Sequence, residues 1–326
     1  MRRPAAGGVA ALLALAVAAC GGEEPYKVGL VIKQDTNPFF RQIRETTERL
    51  ARRNGFELTV MVGKSDVDNR SQVLAMGSLV REGAKGILVT PVDSKGIVSG
   101  VEQARKAGVT VIALDTPTDP ISAADALYAT DNRRAGELIG RYARAKAQEL
   151  GLLPKIAMLD LAPGIASGEQ RHVGFLEGFG IAEGDPSIAG AVNTEGNEIK
   201  GRRGMARLLR AHPDINVVYT VNEPAAFGAA TALRAVGKRL SQVVMVSVDG
   251  GCNAIREGVG TGLIDATALQ YPERMAGEGM AALAVVADGG PKPKGYGDTG
   301  VELITAAPAQ GIPSRDVPFG LRNCWG

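Results

Sequence analysis

The run Val28-Gly29-Leu30-Val31-Ile32 and the stretch after it, Lys33-Gln34-Asp35-Thr36-Asn37-Pro38-Phe39-Phe40, decide how the whole chain is read. An unbroken apolar run predicts a strand buried on both faces. Lys33-Gln34-Asp35 ends it in polar residues. Phe40, Ile43, Thr47, Leu50 and Ala51 then recur at helical spacing, and Asn54-Gly55 stops the helix. Strand, polar turn, helix is the unit of a parallel sheet covered on both sides.

The unit repeats outward from there. Strands are expected at residues 58–62, 86–90 and 109–114, with helices through Val73, Met76 and Val80 and over 97–106. The alternation then restarts. Helices fall at 138–150, 172–179, near 205–210 and at 227–236; strands fall at 156–159, 188–192, 217–220 and 243–248. A strand at 264–269, a helix at 275–287 and a last strand at 301–305 complete the pattern. The fold class is α/β, with two lobes that each hold a doubly wound parallel sheet. Such sheets bind ligands beyond the carboxyl ends of their strands. The polar strand ends Lys33-Gln34-Asp35, Asp115-Thr116-Pro117, Asn222-Glu223-Pro224 and Asp249-Gly250-Gly251 therefore belong to one cleft between the lobes.

The first twenty residues read as a targeting segment. Arg2 and Arg3 precede an apolar run over 5–19, which is too short to cross a bilayer core of about 30 Å. Val17-Ala18-Ala19-Cys20 resembles a bacterial lipobox, which makes Cys20 the acylated first residue of the mature chain. An ordinary cleaved signal with an incidental cysteine is the alternative. Residues 21–25 form a spacer. With Cys20 lipidated, Cys252 and Cys324 remain, either as a disulfide in an oxidising compartment or as two free thiols.

Charge excludes some partners. The chain has 37 basic and 35 acidic residues, and the leader carries two of the arginines, so the mature protein is balanced. No basic stripe points to nucleic acid. About 300 residues beyond the leader suffice for two cores. Only His172 and His212 are histidines, neither at metal-ligand spacing, and both are expected at solvated helix positions. No serine nucleophile elbow, zinc-protease motif or phosphate loop occurs. No cofactor or metal is expected, and the chain reads as a binder and not an enzyme.

The segment from Asp35 to Phe40 resembles the signature of sugar-binding proteins of the ribose-binding type. Asp115, Arg171 in Gln170-Arg171-His172-Val173-Gly174-Phe175, Asn222, Asp249 and Gln270 fall where that family keeps its ligand contacts. The resemblance runs from about Tyr26 to the C-terminus. Residues 216–226 and 247–252, Gln270-Tyr271-Pro272 and the terminal Cys324-Trp325-Gly326 are similar to the fructose-binding branch. It implies a type I periplasmic-binding fold with a three-segment hinge near Thr130, Gln270 and Asp298. The lobes are then 26–130 with 271–298, and 131–270 with 299–326.

The resemblance implies a ligand set of Asn37, Phe39, Phe40, Asp115, Arg171, Asn222, Asp249 and Gln270. A sugar suits it: one of the two phenylalanines stacks on the C–H face while the other packs, and the polar groups satisfy the hydroxyls. Each residue has a plainer alternative, Asp249 as a helix cap, Arg171 as a surface ion pair, the amides as turn residues. Two departures stand out. Thr116 replaces the arginine typical of ribose binders, and no aromatic occurs near Gly196-Asn197; Lys33, Glu195, Asn197 and Glu223 are the candidate replacements. The implied partners are a monosaccharide, fructose first, and an ABC permease with its ATPase, with the membrane reached only through the lipid and the protein monomeric. A sugar-sensing receptor component of the same fold is the alternative.

Overall fold

The computed structural model describes residues 24–326, so the targeting segment and Cys20 lie outside the described residues. One sheet holds β1 (Lys27–Ile32), β2 (Glu57–Val62), β3 (Gly86–Val89), β4 (Thr110–Leu114), β5 (Ala126–Ala129) and β11 (Gly295–Asp298). Its order is β11-β5-β4-β3-β1-β2, all parallel. The second sheet holds β6 (Ile156–Asp160), β7 (Ile188–Asn193), β8 (Val217–Thr220), β9 (Val244–Asp249), β10 (Ala266–Leu269) and β12 (Glu302–Thr305). Its order, β12-β10-β9-β8-β6-β7, repeats the first, except that β12 runs antiparallel to β10.

Both faces of each sheet are apolar, because successive strand side chains point to opposite sides. Leu30, Ile32, Leu88 and Ile112 pack under α1 (Pro38–Asn54) and α8 (Pro272–Ala287), while Val31, Ile87, Val89 and Val111 pack under α2 (Asn69–Arg81) and α3 (Val98–Lys106). In the second lobe, Val217, Tyr219, Val244 and Val246 meet α4 (Asn132–Glu149) and α5 (Ala166–Phe179). Val218 and Met245 meet α6 (Glu198–Ala211) and α7 (Glu223–Ala235). The chain passes between the sheets three times, after β5, after β10 and after β11, and ends in α9 (Val317–Asn323) and a short tail.

The apolar pattern misplaces some elements. Strands β5 and β11 and helix α9 were not expected. β11, Gly-Tyr-Gly-Asp, is a largely exposed edge strand with no apolar run to mark it. Helices α4, α5, α6, α7 and α8 begin earlier than their apolar stripes, because their first turns carry polar residues and proline. The sequence does carry cap signals there: Asp131, Asn197 and Asn222 each accept a backbone N–H from the turn they open.

Candidate functional site

The carboxyl ends of β1, β4, β8 and β9 and the first turns of α1, α5 and α7 meet between the lobes. Arg171, one turn into α5, is 4 % exposed. Its Nε donates to Asn132 Oδ1 at 2.7 Å, Nη1 to Val221 O at 2.9 Å and Nη2 to Gln270 Oε1 at 3.1 Å. Asp249 Oδ1 lies 3.7 Å and Asp115 Oδ1 3.9 Å from the guanidinium. Arg171 is thus a buried cation with three of its five N–H groups bonded, and the surface ion-pair alternative does not hold.

Glycine places it. A Cβ at Gly136 of α4 would fall 2.1 Å from Arg171 O, and one at Gly174 of α5 would fall 2.0 Å from Arg133 O. Gly140 and Gly178 repeat the contact one turn on, at 2.3 Å from Phe175 O and 2.2 Å from Glu137 O. The two helices therefore touch backbone to backbone, which only glycine allows.

Asp115 and Asp249 occupy matching places, at the ends of β4 and β9 in sheets of the same order. Both have positive φ, 65° and 144°. A non-glycine residue held there stores strain of about 1–3 kcal/mol, a cost that recurs at functional sites. The twist turns both carboxylates toward Arg171. Asp249 also accepts from Gln270 Nε2 at 3.0 Å, and Gln270 N donates to Asp249 O at 2.8 Å. Burial pushes the Asp249 carboxyl upward; Arg171 opposes that rise and Asp115 adds to it.

Lys33, 2 % exposed, donates from Nζ to Thr116 Oγ1 at 2.9 Å and to Asp115 Oδ2 at 3.3 Å. Thr116 donates its hydroxyl proton to Asp115 Oδ2 at 2.8 Å. The end of β1 thus places a cation beside Thr116 and Asp115. The Lys33 ammonium also sits 5.2 Å from the centre of the Phe40 ring. Phe39 and Phe40 are both buried, at 2 % and 5 % exposure, and both border the inner space; Phe39 also meets Trp325 edge to face at 5.3 Å.

The other candidates divide. Asn37 and Asn222 border the inner space while capping α1 and α7, and Asn222 Nδ2 donates to Gly196 O at 3.0 Å. Glu223 stands behind the site: it accepts from Gly250 N at 2.7 Å, Gly251 N at 3.0 Å and Thr267 Oγ1 at 2.9 Å. Burial, and then the Asp249 carboxylate, push its carboxyl upward. Asn197 caps α6 and borders the cleft beside Gly196, and Glu195 pairs with Lys200. Sequence reasoning missed Asp66, Asn132 and Ser167. Asp66 is 4 % exposed, accepts from Gln34 Nε2 at 2.9 Å and borders the same space; burial pushes its carboxyl up against the pull of Lys33. Asn132 and Ser167 carried a weak signal, as polar residues in helical first turns at the carboxyl edge of a sheet.

Cys252 and Cys324 are in disulfide geometry, with Cα atoms 4.9 Å apart. His172 sits on α5 and is half-buried, and beyond the expectation its ring nitrogens are paired, 2.8 Å from Asp160 Oδ1 and 2.8 Å from Glu183 Oε2. A second pocket of about 530 Å³ adjoins the inner space; Asn37 and Asp249 border both, and Phe227 and Trp325 line its wall. No group of His, Cys, Asp and Glu among the described residues is arranged to hold a metal ion, and none of the described helices is long and apolar enough to cross a membrane.

Two lobes whose polar strand ends enclose one buried arginine define a two-lobed binding protein. A family profile described as periplasmic binding protein domain matches residues 28–291. The ribose import binding protein of Salmonella typhimurium is 30 % identical over 260 residues, 78 % of this chain and 82 % of that protein. The D-ribose/D-allose-binding protein of Pseudomonas aeruginosa is 28 % identical over 304 residues, 90 % of this chain and 93 % of that one. Among solved structures, an ABC transporter solute binding protein from Agrobacterium vitis with bound D-fucose superposes with a TM-score of 0.79 at 24 % identity, covering 92 % of this chain and 100 % of its own. The chain belongs to the periplasmic binding protein family, of the ribose-binding type, and is not an enzyme.

Proposed function

We propose that this protein is the extracytoplasmic, lipid-anchored binding component of an ABC sugar importer and takes one neutral monosaccharide between its lobes. The observation that carries the reading is the charge arrangement around Arg171. Two buried cations, Lys33 and Arg171, already face Asp66, Asp115 and Asp249. A phosphorylated sugar would need a cation without an anion. A neutral polyol needs acceptors and donors, and the carboxylates, amides and guanidinium supply both. Phe39 and Phe40 give the apolar wall. The names of the relatives, a ribose import binding protein and a D-ribose/D-allose-binding protein, support the sugar class.

Fructose is the first ligand to test, because the chain resembles the fructose-binding branch and departs from ribose binders at Thr116. The lobes, 26–130 with 271–298 and 131–270 with 299–326, rotate about the three crossings, and contacts to both favour the closed form. The mature protein is a monomer with an oxidised Cys252–Cys324 pair and needs no cofactor.

The test is a thermal-shift and calorimetric screen of the mature protein against fructose, ribose, allose, galactose and fructose 6-phosphate. Ligand at 100 times its Kd stabilises by about 2.7 kcal/mol, which reads as a shift of several degrees. A shift with ribose or allose and none with fructose would replace the ligand and leave the class. A response to the phosphate ester alone, or to no sugar, would sink the reading. Cys20→Ala should leave the detergent phase; unmodified Cys20 in the mature wild type would contradict the anchor.

A further inference from the structure

The chain ends on Cys324-Trp325-Gly326, yet Trp325, the penultimate residue, is only 5 % exposed. Its carbonyl accepts from Cys252 N at 3.0 Å, and its backbone bridges to Gly251. Its indole N–H donates to Gln270 O at 3.0 Å. Its ring meets Phe39 at 5.3 Å and 80°. This one residue therefore touches the turn after Asp249 through its backbone, and the crossing residue Gln270 and the start of α1 through its side chain.

We propose that Trp325 is a positioning residue of the ligand site, tethered there by the Cys252–Cys324 pair. The inference rests on reading the cleft as a sugar site. Gln270 is the link. Its side chain bonds Asp249 Oδ1 and Arg171 Nη2, its N–H bonds Asp249 O, and its carbonyl has the indole as partner. Without the indole N–H this buried carbonyl loses its donor and the peptide is free to turn, carrying both side-chain bonds with it. The disulfide and the Cys252 N–H to Trp325 carbonyl bond fix the chain just after α9. The tie falls one residue before the tryptophan. Phe39 adds a second effect. Its contact with Trp325 joins the two lobes and favours the closed arrangement over any open one. A dithiol reductant would reverse the tie: two electrons and two protons convert the cystine to two thiols, and the dithiol becomes a disulfide.

The experiment measures affinity by calorimetry for the monosaccharide giving the largest thermal shift. The proteins are wild type, Trp325→Phe, Trp325→Ala and the Cys252→Ser/Cys324→Ser pair, each kept well below its own Tm. Trp325→Phe keeps the ring and loses the N–H. It should bind about tenfold more weakly because Gln270 is no longer held, and should lower the ligand-free Tm as well, since one buried acceptor is orphaned. Trp325→Ala should lose more affinity and also stability. The serine pair should weaken binding in wild type and add little in Trp325→Ala, since both act through the same contact. Wild-type affinity in Trp325→Phe overturns the role of the indole, and wild-type affinity in the serine pair overturns the tether. If wild type binds no monosaccharide, the sugar reading and this inference fall together; binding in wild type that Trp325→Phe leaves unchanged removes the inference alone.

Discussion

Thr116 Oγ1 lies 2.8 Å from Ser167 Oγ, joining the end of β4 in one lobe to the first turn of α5 in the other. The threonine hydroxyl has one proton and two lone pairs, and all three are used: it donates to Asp115 and accepts from Lys33 and Ser167. An arginine here would displace Lys33 and this interlobe tie.

Thr116→Val keeps the shape and removes all three bonds. Sugar affinity should fall about tenfold, because orphaning one buried polar group costs about 1–3 kcal/mol. Calorimetric titration of the variant checks this. Unchanged affinity would mean that the tie does not contribute to closure.

Glu223→Ala removes the acceptor for two backbone N–H groups and one hydroxyl in the turn that carries Asp249. Stability should drop by about 3 kcal/mol, and sugar binding should weaken with it. Urea unfolding of the ligand-free protein gives the first quantity. A loss below about 1 kcal/mol would show that the turn holds itself.

Two glycine substitutions should act in opposite directions. Gly136→Ala drives a methyl into the carbonyl of Arg171 and should cost about 2 kcal/mol while weakening sugar binding. Gly277, within α8, has nothing within 4 Å of its Cβ direction. Gly277→Ala should stabilise by about 0.5–1 kcal/mol and leave binding intact. Equal effects from the two would refute the close-packing account of α4 and α5.

His172 sets a pH dependence. Its hydrogen bond to Asp160 raises its pKa, burial opposes the rise, and the charges of Asp160 and Glu183 reinforce it, for a value of about 9. A raised histidine contributes stability that is full below its unfolded value near 6.5 and is lost as pH rises through about 9. The Tm difference between wild type and His172→Gln should therefore be greatest near pH 6 and shrink above about pH 9. A difference that stays flat from pH 6 to 10 would show that the imidazole is not held charged.

Much of the cleft was legible before any coordinates. Asp115, Asn222, Asp249 and Gln270 stand at the ends of apolar strands, where a parallel sheet must place its ligands, and the resemblance to ribose-type proteins singled out Arg171. The pairing of His172 was not legible, because its carboxylate partners, Asp160 at the end of β6 and Glu183 beyond α5, lie 12 and 11 residues away. Asn197 caps α6 at the border of the cleft and Glu195 pairs with Lys200, contacts that polarity alone does not specify.

The sequence by itself determined most of the strands and helices and the edge of the sheets on which the site is built. Those features rest on periodicity and turn chemistry, which act over a few residues. Only the tertiary structure decided which charges meet. Lys33 reaches Thr116 across 83 residues of chain, and Arg171 reaches Gln270 across 99. Trp325 finds Gln270 across 55. The energy of a buried charge or carbonyl depends on the donor or acceptor within about 3 Å of it. No local pattern encodes that partner; two sheets stacked end to end, with glycine letting α5 close against α4, bring it into place.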